Sequence, residues 1–252
     1  MSSRRPPLAE RVALPRPETQ GDGALYRSFL DWDWRVRGRK LQKWHHYFDV
    51  YERHLSRFRG TDCHLLEFGV MDGGSLFMWR EFLGPGARIT AVDIDPRTLQ
   101  FNGLLPDVTV VTGDQADQAV LDRIVAEHGP FDIAIDDGGH TARQQINTFN
   151  GIYASVAADG VYICEDTHTS YWPEYQDAGP QTTMIEHAKK LVDEMHSVYR
   201  AAKPSRFSVP MAERQGDIAV SRFAASTYSI QFYDSMIVFE KRPRAEPWSE
   251  FR

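Results

Sequence analysis

Between residues 64 and 165, short apolar runs of β character alternate with stretches of helical periodicity, and this alternation restricts the fold more than any other feature of the chain. The runs 64–68, 88–92, 108–111, 131–136 and 160–165 read as five strands. Helical segments separate them at 75–83, at 116–128, where Gly129-Pro130 marks the end, and at 141–153. A helix between two strands returns the chain to its starting edge, so the strands run parallel in a sheet with helices on both faces. Two further runs, 227–232 and 235–241, read as an antiparallel hairpin that closes the sheet. The helix between these blocks places Ile185, Ala188, Leu191, Val192, Met195 and Tyr199 on one face.

The segments before the first strand differ in kind. Residues 1–23, rich in Pro, Arg, Glu and Gly, bury little and read as a flexible tail. Residues 24–60 form a helical extension in which 40–58 spaces Trp44, Tyr47, Phe48, Tyr51, Leu55 and Phe58 as one amphipathic helix packed on the main domain, 61–245. Those aromatics read first as core, with Lys43, His45, His46 or Tyr47 as a lid over a ligand site as the sharper alternative. The aromatics before residue 40 point either to a homo-oligomer contact or to a cover over a bound cofactor.

A formal charge of −6 argues against a nucleic-acid partner, which calls for a basic face. No run approaches the ~20 apolar residues of a membrane helix, and no signal-peptide core is present, so a soluble, cytoplasmic protein without a membrane partner is expected. Two cysteines, Cys63 and Cys164, are too few for a disulfide framework, and Cys164 falls inside an apolar strand.

The strand ends carry the chemistry. The first runs into Glu67-Phe68-Gly69-Val70-Met71-Asp72-Gly73-Gly74-Ser75, a turn whose glycines let backbone approach a ligand at a helix start. The spacing is not that of a dinucleotide fingerprint or a phosphate loop. Glu67 would repel a pyrophosphate but suits the cationic amino-acid end of S-adenosylmethionine. Asp93, ending the second strand, is placed to take both ribose hydroxyls, and Asp114 and Gln115 after the third suit an adenine edge.

The fourth and fifth strands end in Asp136-Asp137-Gly138-Gly139-His140 and Glu165-Asp166-Thr167. On neighbouring parallel strands these carboxylates meet at one sheet edge and can hold a divalent cation beside a histidine base. The plain alternatives are that Asp136-Asp137 caps the following helix and that Glu165-Asp166 starts a solvated loop. Strand alternation points Asp136 and Asp137 to opposite faces, which assigns Asp137 to the metal and Asp136 to the cofactor side or to structural support. His140 at a helix start favours a neutral imidazole. The loop at 167–180 is long enough for a lid; Tyr171 and Trp172 read as packing, and His168, His187 and His196 as surface residues.

Taken together, these motifs resemble the class I S-adenosylmethionine-dependent methyltransferases, and within them the metal-dependent macrolide sugar O-methyltransferases of the mycinamicin and macrocin type, over roughly residues 40–241. The resemblance implies a Rossmann-like α/β fold, a seven-stranded, mostly parallel, doubly wound sheet of order 3-2-1-4-5-7-6. It implies Mg²⁺ held by Asp137, Glu165 and Asp166, His140 and Asp137 as catalytic residues, and S-adenosylmethionine against Glu67, Gly69, Gly73, Ser75, Asp93, Asp114, Gln115 and Asp136. The implied activity is methylation of a sugar hydroxyl on a glycosylated small molecule. Methylation of a polyketide or catechol-like hydroxyl, and a non-catalytic S-adenosylmethionine-binding accessory role, are the alternatives. Two departures stand out: the large N-terminal domain of the longer macrolide enzymes is missing, and Gly139 stands where Ser is commoner.

Overall fold

The computed structural model describes residues 13–14 and 23–250, so the tail expected over 1–23 lies almost wholly outside the described residues. Three helices, α1 (Ala24–Leu30), α2 (Trp34–Arg37) and α3 (Tyr47–Leu55), precede the sheet. Then come β1 (His64–Phe68), α4 (Gly74–Leu83), β2 (Arg88–Asp93), β3 (Val108–Thr112), α5 (Gln118–His128), β4 (Phe131–Asp136), α6 (Ala142–Ile152) and β5 (Val156–Cys164). After α7 (Met184–Met195) and α8 (Ser197–Ala201), the hairpin β6 (Thr227–Tyr233) and β7 (Met236–Lys241) completes a seven-stranded sheet. Its order is β3-β2-β1-β4-β5-β7-β6, as the family resemblance implies. The first five strands pair in parallel, and β7 lies antiparallel to β5 and β6.

Strand alternation divides the core between the two faces. On β1, Leu65 joins one apolar cluster with Tyr26, Tyr51 and Trp79, while Leu66 and Phe68 join another with Ile124, Phe149 and Ile152. The first face is therefore covered by α1, α3 and α4 and the second by α5, α6 and α7, with the whole of β1 buried. Tyr26, Tyr47, Phe48, Tyr51 and Trp79 are all fully buried, and burying side chains of this size contributes about 2 kcal/mol each. Of the residues read as core in 40–58, Tyr47, Phe48, Tyr51, Leu55 and Phe58 are buried, whereas Trp44 precedes the helix and is exposed. Trp34 and Val36 remain exposed.

The helix expected over 40–58 is shorter, and the reason is local. The Lys40 N–H donates to Asp72 Oδ2 at 2.8 Å, and the backbone at Lys40 lies against the first turn of α4 so closely that a Cβ on Gly74 would fall 2.2 Å from the Lys40 carbonyl oxygen. This contact holds 40–46 out of helical form until Tyr47. The long helix before the hairpin also breaks at His196, which leaves Tyr199 on α8 half exposed rather than on the buried stripe. Among the described residues no helix is long and apolar enough to cross a membrane.

Candidate active site

A cavity of about 390 Å³ opens where the C-terminal ends of β1 to β5 meet the segment around Lys43. Ligands in open α/β sheets bind outside the carboxyl ends of the strands, where neighbouring connections diverge. One side of this cavity is built from β1, β2 and β3. Gly69 adopts φ +93°, and a Cβ there would sit 2.0 Å from the Asp137 carbonyl oxygen, so only glycine lets these two connections touch. Asp93 faces the cavity with its carboxylate fixed by three backbone N–H groups, those of Val70 (2.8 Å), Met71 (3.0 Å) and Asp95 (2.9 Å). Asp114 accepts from the Ala116 N–H at 2.8 Å, and Gln115 braces the site by accepting from Gly139 N–H at 2.9 Å. Gly69, Ser75, Asp93, Asp114 and Gln115 all line the cavity.

Glu67, Gly73 and Asp136 do not line it. Glu67 is fully buried beneath the floor, accepting from Ser75 Oγ (2.7 Å) and Trp79 Nε1 (2.8 Å). Burial pushes its carboxyl up to about 7, against the opposing pull of Lys43 and of those two hydrogen bonds. Asp136 is equally buried, accepting from Gln115 Nε2 at 2.8 Å, and burial raises it above the ordinary carboxylate range. It ties the β3 connection to β4, on the side of the strand away from Asp137.

The other side of the cavity collects the acidic residues. His140 Nε2 lies 3.3 Å from Asp166 Oδ2 and 4.0 Å from Asp137 Oδ1, and His140, Asp137 and Asp166 offer donor atoms that all fall within 4.8 Å of one another. His140 and Asp166 both hold left-handed backbone, at φ +60° and +52°, an arrangement that costs about 1–3 kcal/mol per residue and clusters at functional sites. His140 Nδ1 is buried with no hydrogen-bond partner. The plain alternatives for the aspartates and Glu165 do not describe the structure. Thr141 and Gln144 form a reciprocal cap on α6, so neither aspartate is needed there, and Glu165 is fully buried rather than solvated.

Glu165 is committed to the N-terminal segment. Lys43 Nζ donates to both of its oxygens, at 3.1 and 2.9 Å, and to Asp137 Oδ2 at 2.6 Å, while the Tyr51 hydroxyl donates to Glu165 Oε1 at 2.6 Å. Tyr47 donates to Asp166 Oδ1 at 2.5 Å. Burial by itself would lower the Lys43 pKa, but the carboxylates of Asp137 and Glu165 outweigh it and hold the ammonium above its ordinary value. Of the four residues named for a lid, Lys43 and Tyr47 line the cavity. His45 instead pairs with the Tyr26 hydroxyl, and His46 with the Asp234 carbonyl. Tyr51 was legible only as core; the available signal was the four-residue spacing of Tyr47 and Tyr51, which puts two hydroxyls on one stripe of α3.

The loop histidine differs from its expected exposure. His168 is half-buried between Trp44 (ring centroids 5.4 Å apart) and Trp172 (4.5 Å), and its Nδ1 meets Ser235 Oγ. His187 is also half-buried, packed edge-on against Phe149, whereas His196 and Tyr171 are exposed.

Comparison with known proteins bears on this arrangement. Residues 66–167 match a methyltransferase domain family. The chain is 34% identical over 217 residues to the 8-demethyl-8-(2-methoxy-alpha-L-rhamnosyl)-tetracenomycin-C 3'-O-methyltransferase of Streptomyces olivaceus, covering 81% of this chain and 51% of that protein. It is 34% identical to the mycinamicin VI 2''-O-methyltransferase of Micromonospora griseorubida, covering 64% of this chain and 42% of the relative. The structure superposes with a TM-score of 0.69 on the MycE methyltransferase of the mycinamycin pathway, solved in complex with Mg and SAH, at 27% identity, covering 83% of this chain and 53% of that one. The chain spans about half the length of the curated relatives it matches.

Proposed function

From a chain that carries a methyltransferase domain and resembles the macrolide sugar O-methyltransferases in sequence and fold, we propose an S-adenosylmethionine-dependent O-methyltransferase acting, with Mg²⁺, on a sugar hydroxyl of a glycosylated natural product. The observation that carries this reading is a single cavity walled on one side by Asp93, Asp114 and Gln115 and on the other by Asp137, His140 and Asp166. A methyl donor and an acceptor hydroxyl must be held together for transfer, and one continuous cavity does this where two separate ones would not.

The residues fit both groups. Asp93, preset by three backbone N–H groups, is suited to a ribose diol, and the open backbone at Gly69 admits the donor's tail. Asp137, Glu165 and Asp166 are hard oxygen donors of the kind Mg²⁺ prefers, and Asp137 and Asp166 share the cavity wall with His140. When bound, S-adenosylmethionine supplies the electrophilic methyl and Mg²⁺ a Lewis acid that makes a hydroxyl easier to deprotonate. Asp137, Glu165 and Asp166 would hold the ion through oxygen, which would leave the His140 imidazole free as base. His140 Nε2 then accepts the hydroxyl proton, and the Asp166 carboxylate at 3.3 Å stabilises the imidazolium as it forms. Glu67 and Asp136 do not line the cavity; they brace the floor and the β4 turn.

The test is transfer of isotopically labelled methyl from S-adenosylmethionine to rhamnosylated and macrolide-linked acceptors, with EDTA and then with excess Mg²⁺. The proposal expects label in the sugar, lost in chelator and restored by Mg²⁺. Undiminished transfer in EDTA removes the metal from the account. Label in a polyketide ring instead of the sugar removes the proposed acceptor.

A further inference from the structure

S-adenosylmethionine ends in a zwitterion, an ammonium and a carboxylate on one carbon, and each of these charges needs a partner when it leaves water. With the ribose on Asp93 and the adenine beside Asp114 and Gln115, the tail runs past Gly69 to the part of the cavity walled by Gly74, Ser75 and residues 40–42. Glu67, expected from the sequence at this end, lies beneath the floor with its oxygens engaged by Ser75 Oγ and Trp79 Nε1. The wall that faces the tail therefore offers no carboxylate.

Positive charge is distributed unevenly around the cavity. Among the described residues that line it, Lys40, Lys43 and His140 are the ones able to carry it. Lys43 Nζ is hydrogen-bonded to Asp137 and Glu165, and His140 Nε2 faces Asp166, so both stand at the acidic wall. Lys40 stands at the tail wall, and among the described residues its ammonium has no hydrogen bond or ion pair. The root of its side chain is nevertheless fixed: the Lys40 N–H is held by Asp72 Oδ2, and its carbonyl packs against Gly74. From that root a flexible four-carbon stem can carry the ammonium over the first turn of α4, which contains no acidic residue to compete for it.

We propose that Lys40 binds the carboxylate of S-adenosylmethionine, which makes the segment before α3 a donor-binding element as well as a neighbour of the acidic wall. This rests on the proposed function only in that S-adenosylmethionine is the methyl donor. The ion pair forms at the exposed rim, where water and salt screen it, so its contribution is a modest gain in affinity and a choice among donors. A nucleoside thioether without the carboxylate forgoes that gain.

The test is calorimetric titration with S-adenosylhomocysteine, and with its analogue lacking the carboxylate, of the wild-type chain and of Lys40→Met. The wild type is expected to bind S-adenosylhomocysteine about fivefold more tightly than the analogue. Lys40→Met is expected to weaken S-adenosylhomocysteine by about the same factor while leaving the analogue within about twofold, so that the preference disappears. Equal losses for the two ligands overturn the inference, because the side chain would then not be meeting the carboxylate. Equal affinity of the wild type for both ligands also overturns it, and that comparison stands even if Lys40→Met does not fold. If the wild type binds neither ligand, the donor assignment falls together with this one. Binding of both ligands that Lys40→Met leaves unchanged defeats this inference alone.

Discussion

Glu67 offers a prediction whose size follows from the structure. Its carboxyl is fully buried between Ser75 and Trp79, and burial lifts it from an ordinary 4.5 to about 7. Between these two values the unfolded chain has released its proton while the folded chain still holds one. Stability therefore falls as pH rises through this window and levels off above about pH 7. At about 1.4 kcal/mol per pH unit, the loss across the window is about 3 kcal/mol from this one group. Glu67→Gln keeps the shape, a carbonyl acceptor for Trp79 Nε1 and an amide that Ser75 Oγ can accept from, but it cannot ionise. Urea unfolding of both proteins at intervals from pH 5 to pH 8 measures the difference. The variant should lose less stability than the wild type with rising pH, the gap growing to about 3 kcal/mol by pH 8. Parallel curves would refute the assignment of a strained, proton-holding carboxyl beneath the floor.

Three other substitutions probe separate parts of the site. His140→Ala should slow methyl transfer by about 10²–10⁴-fold, while calorimetry should find S-adenosylhomocysteine bound within about threefold of wild type, because the proposed role of the imidazole is to take the acceptor's proton and not to hold the donor. Asp93→Ala should do the reverse at the binding step, weakening S-adenosylhomocysteine by about tenfold or more, since it removes a charged acceptor and releases the N–H groups of Val70 and Met71. Gly69→Ala should cost about 2–4 kcal/mol of stability, read by thermal melting, because its Cβ would collide with the Asp137 carbonyl oxygen at a backbone angle that disfavours any side chain.

The sheet was legible because its strands are short, largely apolar runs bounded by turns, and burial on both faces leaves them little polar interruption. Helix bounds at α4, α5 and α6 fell within one or two residues of expectation, since caps and Gly-Pro breaks are local signals. The reading failed where a distant contact overrode local preference. Residues 40–46 have a helical pattern, but the backbone packed on Gly74 and the bond to Asp72 hold them otherwise. His168 has polar neighbours in sequence, yet it is enclosed by Trp44 from the N-terminal segment. The acidic strand ends were visible as types at positions, and alternation separated Asp137 from Asp136. What sequence alone did not carry was the division of oxygens among Lys43, Tyr47 and Tyr51, because those partners lie 94 to 122 residues away along the chain.

The claim on which the account depends is that the sulfonium donor and a divalent ion occupy opposite walls of the same cavity. Crystals grown with S-adenosylhomocysteine and Mn²⁺, examined by anomalous scattering at the manganese edge, test it without any knowledge of the acceptor. The account predicts one manganese peak in contact with Asp137 and Asp166, and S-adenosylhomocysteine running from Gly69 past Asp93 with its sulfur turned toward His140. Manganese bound away from these carboxylates, or S-adenosylhomocysteine lodged outside the cavity, would contradict it.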